Sequence, residues 1–364
     1  VEQAMRGVGD SDGGVVVGLS GGVDSAVAAL RLVEAGRRVV GVTLRACRES
    51  AAEDAAAAAA RATARRLGIE HRVIEGAGLF ARTVLAEALR VAGHGGTPSV
   101  CPVCNARFKL ALLAGIADGL GGWELATGHY ARIEFVEGEA RLMRGRVRER
   151  DQSYFLAALP GALLGRLVLP LGGDEKAAVR AAALRAGLEV ARRPASMDLC
   201  PALAGPLVEA LRREFPRLLQ PGPIRDLSGR ELGTHRGLFH YTLGQRRGLG
   251  LGGGSVEPLY VTGKLLAENV LVVGPEESLW SRGLVVEPIG SGAPPVGRLL
   301  CQPRRNHPGA PIEPLGESGG LWRTRFLAPQ RALTPGQFAV FYRREESAGG
   351  VDEVVVGAGT ILGS

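Results

Sequence analysis

Long hydrophobic runs are missing, and no stretch approaches the roughly 18 consecutive apolar residues of a membrane-spanning helix, so no membrane span is expected. Cysteine is scarce. The five present, Cys47, Cys101, Cys104, Cys200 and Cys301, are too few and too odd in number for a disulfide scaffold in 364 residues. A reducing, cytoplasmic compartment is therefore expected, with any cysteine chemistry catalytic, metal-binding or absent. Aromatic residues make up 5%, and there is no acidic surplus: 44 Lys+Arg against 37 Asp+Glu leave +7. That balance is compatible with a polyanionic partner without demanding one. Val1–Asp12 has no basic region followed by an apolar core, so no secretion leader is expected. Internal repeats are also lacking. The 54 Gly and 21 Pro are scattered among apolar runs, which points to many tight turns and excludes collagen, coiled coil and disordered tail.

What is present reads first as alternating strands and helices. Residues 13–19 form an apolar strand, 25–35 have helical spacing closed by Gly36, and Arg38–Leu44 form a second strand. The Ala-rich run at 51–64 reads as a solvated helix ending at Gly68. Strand 71–75, helix 79–91, loop 93–100, helix 104–117 and strand 123–127 continue the pattern. The expectation is an α/β parallel-sheet nucleotide domain whose ligand lies at the carboxyl ends of the strands. After about residue 205 the texture changes: 206–219 reads as a helix, and 220–254 is dense in Gly, Arg and aromatics with little periodicity. From about 268 short strands recur (ENVLVVG, GLVVEPI, GRLLCQP, LWRTRFL, QFAVFYRR, EVVVGAGTIL), which predicts a C-terminal antiparallel β-barrel. The expected division is a catalytic domain over 1–205, a small central domain over 206–275 and the barrel over 276–364.

The sharpest local signal is Ser20-Gly21-Gly22-Val23-Asp24-Ser25, between an apolar strand and a helix. Glycines let the backbone approach a ligand closely and aim N–H groups inward, and the helix start adds positive potential. Ser20 and Ser25 add hydroxyls, and Asp24 is a candidate magnesium ligand. Neither a Walker loop nor the dinucleotide fingerprint is present. The six residues resemble the PP-loop of ATP pyrophosphatases, and the resemblance implies ATP.

Among the cysteines, Cys104 is expected to begin a helix, where the dipole favours thiolate. Cys200 follows in Ser196-Met197-Asp198-Leu199-Cys200; Cys47 and Cys301 read as inert small hydrophobes. The phosphate loop, Cys104-Asn105 with Phe108-Lys109, Ala126–Tyr130, Asp151–Leu156, Ser196…Cys200, Tyr241–Gly250 and Thr334–Gln337 occur in one order. Together they resemble the bacterial tRNA-specific 2-thiouridylases over nearly the whole chain.

That resemblance implies adenylation of the C2 oxygen of the wobble uridine and its replacement by sulfur. Cys200 matches the persulfide carrier and Cys104 the cysteine that releases the sulfur or resolves it as a Cys104–Cys200 disulfide. Gly18, Leu19, Ser20, Gly21, Gly22, Val23, Asp24, Ser25, Leu44 and Gly128 match ATP-contacting positions. Ser99, Val100 and Cys101 match the loop that approaches the target base; His129 and Arg150, Asp151 and Gln152 match tRNA contacts, and Arg304 and Arg305 with Gln337 are expected to extend that surface onto the barrel. The implied partners are the tRNA anticodon stem-loop and a sulfur-relay or cysteine desulfurase protein; magnesium is the implied companion of ATP. Affinity would come from phosphate contacts and specificity from splayed anticodon bases.

Several positions depart from the family pattern. Thr97-Pro98-Ser99-Val100 stands where Thr-Pro-Asn-Pro is usual, Cys101 where some members carry an acid, Pro201 where an aromatic is common, and Leu265 where an acid is expected. Cys101, Cys104 and Cys200 also offer three thiolates for a [4Fe-4S] cluster, an alternative to the persulfide route. The arginine run Arg141, Arg144, Arg146, Arg148 and Arg150 is either a solvated face or an RNA surface, and Arg246 and Arg247 sit in a glycine-flanked loop suited to phosphate contacts. Rival readings are another ATP pyrophosphatase, either an amide-forming synthetase or a tRNA lysidine synthetase, and a tRNA-binding relative that has lost its chemistry.

Overall fold

Val15, Val16 and Val17 are fully buried, so β1 (Val15–Gly18) takes an interior place in a sheet covered on both faces. The computed structural model describes residues 13–47, 49–193, 201–251, 258–290, 294–347 and 350–363. The chain divides into two compact units. The first comprises Val1–Val84, Cys101–Ala202 and Arg343–Val355; the second comprises Leu85–Val100, Leu203–Tyr342 and Val356–Ser364. The expected boundary at 205 takes no account of segments 85–100 and 343–355, each of which is grouped with the other unit.

In the first unit, β1 lies between β2 (Val39–Arg45) and β4 (Glu124–Ala126). Outside them lie β3 (Glu70–Glu75) and β7 (Leu167–Val168), giving the order β3-β2-β1-β4-β7. The four neighbour pairs in this order are parallel. Because the connections from β1 run to opposite sides, the crevice for a ligand opens at the carboxyl ends of β1, β2 and β4. Helix α1 (Val23–Glu34) presents Ala29 and Leu32 to β1 and to Ala60 and Ala64 of α2 (Ala51–Leu67). Its other side packs Ala26, Val27 and Leu30 against Tyr130 and Leu171. The Ala-rich run is the expected helix, capped by the Ser50 hydroxyl, which accepts from Glu53 N at 3.3 Å, and closed by a left-handed Gly68. Hairpin β5 (Ala131–Val136) and β6 (Glu139–Arg144) carries the arginine-rich segment and pairs Met143 with Val354.

Two helix expectations need correction. The run expected to start at Cys104 starts at Val100: an α-helical turn, Val100–Cys104, passes through a π-turn at Asn105–Lys109 into Leu110–Gly119. Pro102 sits in its first turn, where a missing N–H breaks no hydrogen bond. At 20 residues this run is long and apolar enough on average to cross a membrane, although Asn105, Arg107, Lys109 and Asp118 interrupt it, so no run of about 18 consecutive apolar residues exists. Half of it is buried inside the protein, with Val103, Phe108, Leu110 and Leu113 in the interior, as in a core helix. The helix expected at 206–219 runs over Pro201–Glu214 with Pro206 inside it, and a short 3-10 turn follows at Pro216–Leu219.

The second unit holds a four-stranded sheet and a barrel. The sheet orders β10 (Tyr260–Leu265), β11 (Val270–Gly274), β8 (Gly222–Arg225) and β9 (Glu231–His235), so the strand at ENVLVVG belongs here and not to the barrel. Its core is Ile224, Val261, Leu271 and Val273 under Leu207 and Leu211. The barrel runs β12 (Trp280–Pro288), β15 (Leu321–Arg331), β14 (Ala310–Ser318), β13 (Leu299–Gln302), β16 (Phe338–Ser347) and β17 (Gly350–Gly363), and closes by a β12–β17 pairing. Trp322, Phe326, Phe341 and Ile361 fill it.

Two loop motifs meet in this unit. Thr97 N donates to Pro335 O at 2.9 Å and Ser99 N to Gly336 O at 3.2 Å. Gly336 has φ +86°, and a Cβ there would fall 2.2 Å from Val91 Cγ1 and 2.9 Å from Thr97 N. Gly336→Ala is therefore expected to cost about 3 kcal/mol or more, from left-handed strain plus overpacking. Gly68→Ala, at φ +67° with open space around it, should cost only about 1–2 kcal/mol. Denaturant unfolding of both variants checks this; equal costs would contradict the close approach.

Candidate functional site

The strand order brings three segments to one edge of the first unit. Leu19–Gly22 follows β1, Leu44 ends β2, and Thr127–Tyr130 follows β4. Gly22 caps α1 in an extended conformation without a side-chain cap, which leaves the first-turn amides for an anion. The loop is internally braced: Ser25 Oγ accepts from Ser20 N at 3.1 Å and donates to Gly22 O at 3.0 Å, with Ser20 Oγ 3.1 Å away. Gly21 has φ +73°, and a Cβ there would lie 2.3 Å from Ala56 O. A Cβ on Gly128 would lie 2.6 Å from Ser25 N, so the β4 segment touches the start of α1 directly. Thr43 donates to Leu19 O at 2.7 Å and accepts from His71 Nε2 at 2.9 Å, which fixes the far wall of the loop.

Asp24 is tied more tightly than its sequence position suggests. Lys176 Nζ reaches its Oδ2 at 2.6 Å, and the Tyr130 hydroxyl donates to Oδ1 at 2.7 Å. Lys176 also sits 5.8 Å from the Tyr130 ring centroid. Burial and the bond to Asp24 push the Tyr130 phenol well above its ordinary range, so it remains a donor. With its oxygens accepting from an ammonium and a phenol, Asp24 does not fit the expected magnesium role; a metal would have to displace Lys176. Among the described residues, no group of three His, Cys, Asp or Glu side chains converges as a metal site. Arg193 lies over the loop, with Nη1 at 3.4 Å from Gly21 O. Lys176 and Arg193 were missed from the sequence, since neither stands in a motif and both act across more than a hundred residues.

The cysteines separate by environment. Cys301 is fully buried and its thiol pKa is raised by desolvation, an inert hydrophobe as expected. Cys101 is exposed and Cys104 buried, on one helical run. Because that run begins at Val100, Cys104 lies beyond the first turn and the helix-start argument for its thiolate fails; Cys101 takes the first-turn position instead. Asn105, 3% exposed, donates through Nδ2 to Phe155 O at 3.0 Å, while its buried Oδ1 has no hydrogen-bond partner among the described residues. Cys200 lies outside the described residues, as do Ser196–Leu199.

The expected RNA positions divide between the units. His129 accepts or donates at Nδ1 to Thr127 Oγ1 at 2.8 Å, and desolvation with nearby Lys109 brings its pKa down to about 3. Gln152 Oε1 accepts from Tyr130 N at 3.0 Å. Asp151, with a side chain 4% exposed, accepts from Arg144, Gly145 N and Ser153. Glu353 accepts from Arg144, Arg148 and Arg344, and Arg141 pairs with Glu345. The arginine run is therefore largely neutralised by its own protein, leaving Arg146 and Arg150 exposed and without an ion pair among the described residues. In the second unit, Ser99 is held at the turn that carries Gln337, and Val100 starts the long helical run. Arg304 donates to Arg331 O at 3.0 Å, next to Arg331's contact with Gly244 O at 3.3 Å; Arg305 is exposed. Lys264 donates to Gly95 O at 3.0 Å, and burial brings its pKa down to about 8.

Family models described as the tRNA methyl transferase HUP domain, PRC-barrel domain and aminomethyltransferase beta-barrel domain match residues 13–202, 211–275 and 295–361. The chain is 44% identical over 351 residues to the tRNA-specific 2-thiouridylase MnmA of Chloroflexus aurantiacus, covering 92% of this chain and 97% of that one. The chain belongs to the tRNA-specific 2-thiouridylase family. This thiouridylase is also 40% identical to MnmA of Rhodospirillum rubrum, over 96% of each chain. Against the bifunctional protein NifU/MnmA of Rubrobacter xylanophilus identity is 40%, over 98% of this chain and 72% of that one.

The His129 environment has a checkable consequence. A histidine whose folded pKa is lowered binds its proton less well folded than unfolded, so it destabilises the fold as pH drops below about 6.5 toward 3. NMR titration should find His129 neutral at pH 5, and Lys109→Met should raise its pKa while leaving it below the ordinary histidine value, desolvation being the larger cause. A titration midpoint near 6.5 would contradict the buried setting.

Proposed function

We propose that this thiouridylase binds ATP on the 18–25 loop, activates C2 of the wobble uridine of tRNA, and replaces its oxygen with sulfur carried on Cys200. The cradle at the start of α1, packed against Gly128, is the observation that carries this reading. The uridine C2 oxygen attacks the α-phosphate of ATP, and pyrophosphate departs. Terminal sulfur of a Cys200 persulfide then attacks C2, AMP leaves with the original oxygen, and a C2–S–S–Cys200 bridge forms. Cys104 thiolate attacks the Cys200 sulfur, so the 2-thiouridine is released and a Cys104–Cys200 disulfide remains for an external thiol to reduce. In the second route, Cys104 attacks the persulfide first and frees sulfide as the nucleophile.

Gly18, Leu19, Ser20, Gly21, Gly22, Val23 and Ser25 support ATP through loop amides and hydroxyls, with Leu44 and Gly128 beside them. Asp24 serves by bracing the loop. Ser99, Val100 and Cys101 lead toward the base; His129, Arg150, Arg304, Arg305 and Gln337 offer contacts to RNA. For Asp151 and Gln152 the structure favours an indirect part, since their side chains hold neighbouring backbone and arginine groups. Sulfur is supplied by a relay or desulfurase protein. The persulfide route accounts for both cysteines without iron, and no step passes through a cluster.

Purified protein given tRNA, ATP and a persulfide source should form 2-thiouridine, AMP and pyrophosphate, detected by mass spectrometry of digested tRNA. Cys200→Ser and Cys104→Ser should each abolish turnover while tRNA adenylation persists. Full thiolation by Cys200→Ser would overturn the assignment of the sulfur carrier.

A further inference from the structure

One residue joins the RNA-side turn to the phosphate loop. Gln152 holds Tyr130 by both backbone groups: its Oε1 accepts from Tyr130 N at 3.0 Å, and its own N donates to Tyr130 O at 2.8 Å. The hydroxyl of the same Tyr130 donates to Asp24 Oδ1 at 2.7 Å, inside the phosphate loop. Tyr130 is 4% exposed and packs among Val23, Ala26, Val27 and Leu171, so its ring has little room to move independently. The turn that presents Gln152 is itself rigid, because Asp151 binds Arg144, Gly145 N and Ser153. A contact that shifts or orders residues 150–152 is therefore passed through one side-chain bond, one backbone bond and one phenol to the carboxylate beside the ATP cradle.

We propose that Tyr130 is a positioning residue that couples tRNA engagement to ATP binding, so that each substrate tightens the other. The inference rests on the thiouridylase reading above and names a residue outside its ATP and RNA contacts. Lys176 remains on Asp24 when the phenol is removed, so Tyr130→Phe cuts the link without stranding a charge. The ring, and with it the packing, is retained.

The test measures binding of a non-hydrolysable ATP analogue to the full chain, with and without unmodified tRNA. In the wild type, tRNA should tighten the analogue by at least about fivefold, and by linkage the analogue should tighten tRNA by the same factor. In Tyr130→Phe each ligand alone should bind within about threefold of wild type, while the coupling factor falls to near one. Gln152→Ala, which removes the Oε1 bond and keeps the backbone one, should lower the coupling factor, and added to Tyr130→Phe it should remove no more, as links in series require. The single-ligand affinities report whether each variant is folded; if Tyr130→Phe fails to fold, the lowered coupling factor of Gln152→Ala carries the test. No coupling in the wild type, undiminished coupling in either variant, or additive losses would overturn the proposal. Absence of 2-thiouridine from wild-type reactions would instead sink the functional reading.

Discussion

The Asp24 carboxylate, held by the Lys176 ammonium, is the constraint on which the proposed nucleotide site rests. It stands in the first turn of α1, the place in a helix that most favours negative charge. Left to itself it would compete with an incoming phosphate for the same amides. Lys176 draws it off instead, from a helix 152 residues downstream. The side chains of this ion pair are 16% and 34% exposed, so its energetic worth is modest; its value is geometric. Fixing Asp24 fixes the start of α1, and the glycine turn before it then has one shape.

The same economy governs the charged segment after β6. Arg144 is buried with Asp151 and Glu353, and stripping one partner from such a group typically costs about 3–5 kcal/mol. Those arginines serve to hold the strand segments 343–347 and 350–355 and the 145–153 turn in place within the first unit. Basic residues left for RNA are fewer than the sequence count suggests, which places more weight on shape and on individual contacts than on bulk charge.

Local patterns were legible and long-range pairings were not. The strand–glycine loop–helix unit, the Ala-rich helix with its Gly68 end, and inert Cys301 could all be read because each depends on neighbours within a few residues. The helical run containing Cys104 starts at Val100 because Pro102 falls in its first turn, where a missing N–H costs no hydrogen bond. Lys176 could not be seen, since an ordinary lysine opening an Ala-rich helix gives no sign of a carboxylate 152 residues away. The distant partners of the arginine run were hidden for the same reason, Glu345 and Glu353 lying about two hundred residues on. Strands β8 and β9 were hidden in a Gly- and Arg-rich stretch whose alternation is too short to register, and they gain stability only by pairing with β11 and each other.

Replacing one oxygen of the clamped carboxylate by an amide tests this account most directly. Asp24→Asn keeps the side-chain volume but removes the charge that holds Lys176. Thiolation of tRNA by that variant, followed as 2-thiouridine released on nuclease digestion, should fall by about a hundredfold, the usual penalty for an active site displaced by an ångström, with tRNA binding in the absence of ATP unchanged. Product formation at the wild-type rate would contradict the claim that this carboxylate shapes the nucleotide site.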